Sequence, residues 1–62
     1  MMLYEIIETD EGMTVAEMTP GASAEETATR RRGVVVDPGP YRSFDDAYDA
    51  MLALKDKDDD ED

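Results

Sequence analysis

Apolar and polar residues alternate in two short segments near the N-terminus. The first, Leu3 to Thr9, is rich in aromatic and β-branched residues, and the second, Met13 to Thr19, alternates more regularly. A period of two places successive side chains on opposite faces of a strand. Because Asp10 to Gly12 supplies a short turn with a glycine available for positive φ, the two segments predict a β-hairpin.

A run of three valines predicts a third strand, over Gly33 to Asp37. Consecutive β-branched residues are typical of a strand that is covered on at least one face. The next three residues are Pro38 to Pro40, with a glycine between the prolines. Since proline has no N–H to donate to a ladder, the strand is expected to end there.

The segment between the second and third strands has the signals of a short helix. Ser23 to Glu26 fits a capping box, and acidic residues stand at the N-terminal end, as the helix dipole favours. The basic run Arg30 to Arg32 stands at the other end, with Gly33 placed as the C′ residue. These signals predict a helix over 24–32. The segment has few apolar residues, so a long loop whose arginines begin the next strand is the alternative.

The C-terminal third of the chain predicts an amphipathic helix. Ser43 is a candidate N-cap, with Asp46 at the N3 position of a weaker capping box. The apolar positions follow the i, i+3, i+4, i+7, i+8 spacing of a core-facing stripe: Phe44, Ala47, Tyr48, Met51 and Leu52. The acidic run 56–62 predicts a disordered tail, which leaves one small domain over 1–55.

The predicted fold is α+β: a small three-stranded antiparallel sheet with the C-terminal helix on one face. The short helix predicted over 24–32, with a loop as its alternative, lies between the second and third strands. The hairpin carries apolar side chains on both of its faces, and the main helix can cover only one. We therefore expect an uncovered sheet face, which predicts a protein partner. The simplest partner is a second copy of the chain, joined through that face or through an edge strand.

Composition narrows the function classes. The 62 residues include 17 acidic and 6 basic ones, a net charge of −11, and neither cysteine nor histidine. Such a chain repels phosphate backbones and anionic lipid, so we expect no nucleic acid and no membrane as partners. The N-terminus lacks the basic region of a signal peptide, and a cytoplasmic location is the expectation.

Catalysis is the least expected function. Without histidine or cysteine the chain lacks the commonest general base and the strongest nucleophile. No set of nucleophile, base and orienting group is recognisable, so we predict that the protein is not an enzyme. We likewise predict no cofactor, no metal and no small-molecule substrate.

The candidate interaction residues fall into three groups. The first is apolar and lies on the hairpin, the second is the arginine run, and the third is the acidic start of the last helix: Tyr4, Ile6, Met13, Val15, Arg30, Arg31, Arg32, Asp45, Asp46 and Asp49. The arginines either contact an acidic ligand or neutralise a helix end. The carboxylates suggest an alternative function, an acidic decoy or antitoxin-like protein that binds a basic protein. Adaptation of the chain to high salt is a further alternative.

Two stretches resemble known small families. Gly39 to Phe44, continued by Ala47 and Met51, resembles the strand, turn and helix of small YegP-like β-β-β-α proteins, although 21–32 is longer than their turn. Met2 to Gly12 approximately follows the M-x-Y-x-I-x-x-x-D-x-x-G opening of HicB-type antitoxin N-terminal domains, without their P-D-L-P-G-C-like stretch. Both resemblances imply the predicted fold, and neither assigns a functional residue.

Overall fold

The chain forms three strands and two helices in the order ββαβα. The computed structural model describes residues 2–59, with side chains as far as residue 56. The elements are β1 (Leu3–Thr9), β2 (Gly12–Met18), α1 (Ala24–Arg30), β3 (Val34–Tyr41) and α2 (Phe44–Asp59). The predicted α+β fold is confirmed, and the short helix between the second and third strands is present.

β1 is the central strand of an antiparallel sheet with the order β2-β1-β3. The β1–β2 hairpin is in unbroken register, from Leu3 opposite Met18 to Thr9 opposite Gly12. The β1–β3 pairing is interrupted by two register shifts. β2 and β3 are both antiparallel to β1, so they are parallel to each other, and α1 is the connection between them.

The two helices lie on opposite faces of this sheet. On one face, which we call the α1 face, Ile7 and Ala16 pack with Ala28 of α1, and Val35 joins this cluster. On the other, the α2 face, the Tyr4 ring contacts Phe44 of α2 edge-on, with 6.1 Å between the ring centroids. Residues adjacent in a strand point to opposite faces. Ile6 and Ile7 are both fully buried, so both faces of β1 are covered.

The expectation of an uncovered sheet face is therefore wrong. It assumed a single covering helix, whereas α1 also packs on the sheet. This helix has only seven residues, yet it buries Thr27 and Ala28, whose small side chains allow close approach to the strands. A possible binding surface on the protein has to lie elsewhere than on a bare sheet.

The ends of α1 show which local signals were interpreted correctly. Ser23 and Glu26 form the complete capping box, with both reciprocal hydrogen bonds present. The C-terminal end differs from the prediction, because Arg32 (φ 59°) and not Gly33 adopts the left-handed conformation. Gly33 N donates to Ala28 O at 2.8 Å, and Arg32 N donates to Thr29 O at 3.0 Å. These two bonds define a Schellman motif with arginine at C′.

β3 continues through both prolines, where the sequence predicted that it would end. Proline is tolerated in an edge strand and at bulges, and β3 is an edge strand with shifted register. Gly39 (φ 65°) permits the irregular backbone here, because a Cβ at this position would lie 2.6 Å from Tyr41 N. The strand thus reaches Tyr41, which lies opposite Tyr4.

α2 begins as predicted and buries less than predicted. Ser43 Oγ accepts a hydrogen bond from Asp46 N at 3.1 Å. Of the five apolar positions expected to face the core, only Ala47 and Met51 are buried. The helix extends to Asp59, into the segment predicted as a disordered tail, and residues 60–62 of that segment lie outside the described residues.

Candidate interaction surface

One flank of α2 carries a continuous apolar surface that is open to solvent. Phe44, Tyr48 and Leu52 are 51%, 44% and 41% exposed, and they follow one another at intervals of one helical turn. The Phe44 and Tyr48 rings are stacked, with 5.9 Å between centroids and 14° between planes. Tyr4 of β1 extends the surface through its edge-on contact with Phe44. We call these four residues the aromatic stripe.

The stripe begins over the central strand of the sheet. α2 starts directly after β3, yet the ring of its first residue, Phe44, contacts Tyr4 on β1. Phe44 therefore lies over β1 and not over β3. Tyr48 stacks on Phe44 and Leu52 lies one turn further along, so the stripe continues along one flank of α2. Two further exposed apolar side chains, Val34 and Val36, belong to β3.

The candidate carboxylates lie on the same helix. Asp45, Asp46 and Asp49 are all exposed, the first two within the first turn of α2. Negative charge is favourable there because the helix N-terminus carries a partial positive charge. The acidic group and the aromatic stripe thus share one helix but not one flank: at about 100° per residue, Asp45 lies about 60° and Asp46 about 160° from Tyr48 around the helix axis.

The hairpin candidates are divided between core and edge. Ile6 is fully buried, so in this structure it contacts no partner directly, which corrects its inclusion among the candidate interaction residues. Met13 and Val15 are half-buried on β2, and within residues 2–59 no second strand pairs with the outer edge of β2. Since unpaired edge N–H and C=O groups can accept another strand, the β2 edge is a candidate docking element.

The arginines lie apart from the stripe, at the end of α1 on the other face of the sheet. Arg30 is in the last turn of α1 and Arg31 is its C-cap. Arg31 and Arg32 border an open cleft of about 520 Å³ whose other wall is the β1–β2 turn, including Asp10 and Glu11. The cleft is lined by charges of both signs, so it has no strong preference for an anion. Arg30 is placed to complement the partial negative charge at the C-terminus of α1.

Glu5 is a feature that the sequence prediction missed. This side chain is fully buried on the α1 face, opposite Ala16, and within the described residues neither carboxylate oxygen has a hydrogen-bond partner. Burial raises the pKa of the Glu5 carboxyl, because desolvation disfavours the charged form. The signal in the sequence was the alternation of Leu3, Glu5 and Ile7, which places the glutamate between two apolar residues on one face.

A second carboxylate has a partner. The Tyr41 hydroxyl donates a 2.6 Å hydrogen bond to Asp37 Oδ2, and Gly39 N donates to the other oxygen of Asp37 at 3.1 Å. The hydrogen bond to Asp37 raises the pKa of Tyr41, and partial burial and the negative charge of Asp37 act in the same direction. These contacts hold the irregular end of β3 and form no recognisable catalytic set.

The described part of the chain carries no recognisable metal site and no membrane-spanning helix. Among the described residues, no group of three or more histidine, cysteine or acidic side chains is placed to hold a metal ion. None of the described helices has the length and apolar character required to cross a lipid bilayer. No protein-family model, curated protein or solved structure matches the chain. The resemblances to YegP-like proteins and to HicB-type antitoxins therefore stay predictions.

Proposed function

We propose that this protein is a non-catalytic interaction module that associates with itself through the aromatic stripe. The supporting observation is the stripe itself: Phe44, Tyr48 and Leu52 expose about half of their surface on one flank of one helix. Contiguous exposed apolar surface in a small protein marks a contact site, and aromatic residues dominate the energetics of such sites. In a chain this short, a dimer also supplies apolar burial that one small core lacks.

The net charge of −11 makes self-association dependent on salt. Two copies repel each other, and salt screens the repulsion, since the Debye length falls from about 10 Å at 0.1 M to about 3 Å at 1 M. Dimerisation should therefore strengthen as salt increases. A protein that worked only as an acidic decoy would show the opposite trend, because its attraction to a basic partner would be screened.

The acidic alternative is supported by one observation, the exposure of Asp45, Asp46 and Asp49 on the helix that carries the stripe. A basic protein that contacts the solvent-facing side of α2 would fit this arrangement. Replacing all three aspartates with asparagine should abolish such binding and should strengthen self-association by reducing repulsion. The two proposals thus predict opposite effects of the triple variant: loss of binding to a basic protein in one case and stronger self-association in the other.

The test of self-association is molar mass by light scattering over a range of protein concentrations, at about 0.1 M and about 1 M salt. We expect a dimer at high salt that Tyr48→Ala and Leu52→Ala each weaken. Val34→Ala is the matched control, since Val34 is 64% exposed but lies on β3, away from the stripe. A monomer at every concentration and salt would overturn the proposal.

A further inference from the structure

The two edges of the sheet differ in a way that selects one of them for pairing. The β3 edge contains Pro38 and Pro40 and has shifted register, both of which oppose addition of a strand. The β2 edge contains no proline and follows β1 in unbroken register over seven residues. The usual hand of the connection between β2 and β3 also directs the stripe toward the β2 side. A partner that paired with β2 would consequently lie next to the stripe.

We propose that the second copy pairs its own β2 with this β2, antiparallel about a two-fold axis at Val15. This inference rests on the self-association proposed above and specifies its geometry. The result would be a continuous six-stranded sheet with the two α2 helices side by side on one face. An isologous dimer of this kind closes on itself and leaves only the blocked β3 edges exposed.

The residue pattern of β2 suits this register. With Val15 opposite its own copy, Met13 lies opposite Glu17 of the second copy, and Thr14 lies opposite Ala16 of the second copy. Glu17 is the one charged residue of the strand, and this register keeps it away from Glu17 of the other copy. Like charges placed directly opposite each other destabilise a strand pair, so a two-fold register centred on Glu17 would be unfavourable.

The spacing of the helices also suits this arrangement. α2 packs on β1 and β2 more than on β3. Strands lie about 4.8 Å apart, so a helix centred between β1 and β2 lies roughly 5 Å from the proposed axis. Its copy then lies about 10 Å away, at the upper end of the usual distance between packed helices. The two stripes would face each other across that gap, because each points toward its own β2 edge.

The direction of the stripe follows from the hand of the connection between β2 and β3. Connections between parallel strands of one sheet are right-handed in nearly all proteins. A right-handed connection fixes which side of β1 carries β2 when the sheet is viewed from α2. α2 runs antiparallel to β3 on that face, and its residue Ala47 points down at the sheet. The next residue, Tyr48, lies about 100° further around the helix axis and therefore points toward β2. This agrees with the contact between Phe44 and Tyr4.

The test uses single cysteines in a chain that has none of its own. In an antiparallel pair the opposed Cα atoms are about 4.5 or 5.5 Å apart, within the range that a disulfide spans. Val15→Cys should form a disulfide-linked dimer under mild oxidation at high salt. Thr29→Cys on α1 and Val36→Cys on β3 are controls at exposed positions away from the axis. We expect Val15→Cys to crosslink at least about tenfold faster than either, because assembly raises the effective thiol concentration.

The outcomes separate this inference from the proposal on which it rests. One outcome would overturn the β2 pairing and retain self-association. In that outcome light scattering shows a dimer that Tyr48→Ala weakens, while Val36→Cys crosslinks and Val15→Cys does not. A monomer would overturn both. If Val15→Cys does not fold, hydrogen exchange of the unaltered protein decides. Amides of β2 should become more protected as concentration rises while those of β3 do not, and equal protection of both edges would contradict the inference.

Discussion

Glu5 lies directly opposite Ala16 in the β1–β2 pairing, and both side chains are fully buried on the α1 face. The alanine side chain offers no hydrogen-bonding group, and the Glu5 carboxylate oxygens have no hydrogen-bond partner within the described residues. A buried polar group without a partner destabilises a fold by about 1–3 kcal/mol. The position therefore reduces the stability of a chain whose core is already small.

Replacing Glu5 with leucine should stabilise the protein. At neutral pH we expect Glu5→Leu to raise the free energy of unfolding by about 1–3 kcal/mol, because an apolar side chain removes the desolvated carboxylate. Urea denaturation measures the change as a shift in midpoint at constant slope. Glu8→Leu is the matched control, since Glu8 is an exposed carboxylate of the same strand. A larger gain for Glu8→Leu would show that reduced overall charge, and not burial, is responsible.

The pH dependence of stability should identify the same residue. Burial raises the pKa of folded Glu5 above its ordinary value of 4.5, so the folded state holds this proton more tightly than the unfolded state. The contribution of protonated Glu5 to the free energy of unfolding is fully present below pH 4.5, and it is lost as the pH rises through the pKa of the folded state.

The buried and half-buried residues that α1 and the strands place around this part of the α1 face are uncharged apart from Glu5, so no neighbouring charge opposes this trend: they are Leu3, Ile7, Ala16, Met18, Thr27, Ala28 and Val35. The charged residues of α1, Glu25, Glu26 and Arg30, are exposed. Urea midpoints measured from acid to neutral pH should fall less steeply for Glu5→Leu than for Glu8→Leu. Parallel curves for the two variants would refute the assignment to Glu5.

The local signals of the sequence predicted all five elements, and the errors concern the C-terminal ends of α1, β3 and α2 and how the elements pack. The caps at Ser23 and Ser43 and the glycine turn at Gly12 depend on neighbouring residues, and each was recognisable. The burial of Glu5 depends on α1 approaching the sheet, a contact between residues distant in sequence. The spacing of Phe44, Tyr48 and Leu52 indicated an apolar flank correctly, but it could not show that the helix covers the sheet with a different flank.

Arg32 has an unfavourable backbone conformation that glycine would relieve. Its φ of 59° lies in the left-handed region, which costs a residue with a side chain about 1–2 kcal/mol. Glycine is the preferred residue at this C′ position, so Arg32→Gly should stabilise the fold by about 0.5–1 kcal/mol in thermal or urea unfolding. Arg31→Gly is the control, because Arg31 has φ −92° and gains nothing from glycine. Equal stabilisation by both variants would point to lost charge as the cause.

Gly33 should tolerate no side chain, although its φ is not positive. A Cβ at this position would lie 2.7 Å from the backbone oxygen of Glu8, where the chain enters β3 beside the end of β1. We expect Gly33→Ala to lower the free energy of unfolding by about 1–3 kcal/mol, as overpacked positions do. Chemical denaturation tests this, and a variant as stable as the unaltered protein would show that this end of the sheet can move apart without loss.

The pair of Tyr41 and Asp37 should stabilise the end of β3 over the whole neutral range. Because the Asp37 carboxylate accepts the tyrosine proton's hydrogen bond, it raises the pKa of Tyr41 above the ordinary value of 10.0. Because the pKa of Tyr41 is raised in the folded state, deprotonation of Tyr41 does not reduce the contribution of this hydrogen bond to the free energy of unfolding below pH 10. The contribution is lost as the pH rises through the pKa of folded Tyr41. Asp37→Asn should lower the pKa of Tyr41, measured by NMR titration of its ring protons. Tyr41→Phe removes the signal and so identifies it. An unchanged titration of Tyr41 in Asp37→Asn would mean that the hydrogen bond does not hold the proton in solution.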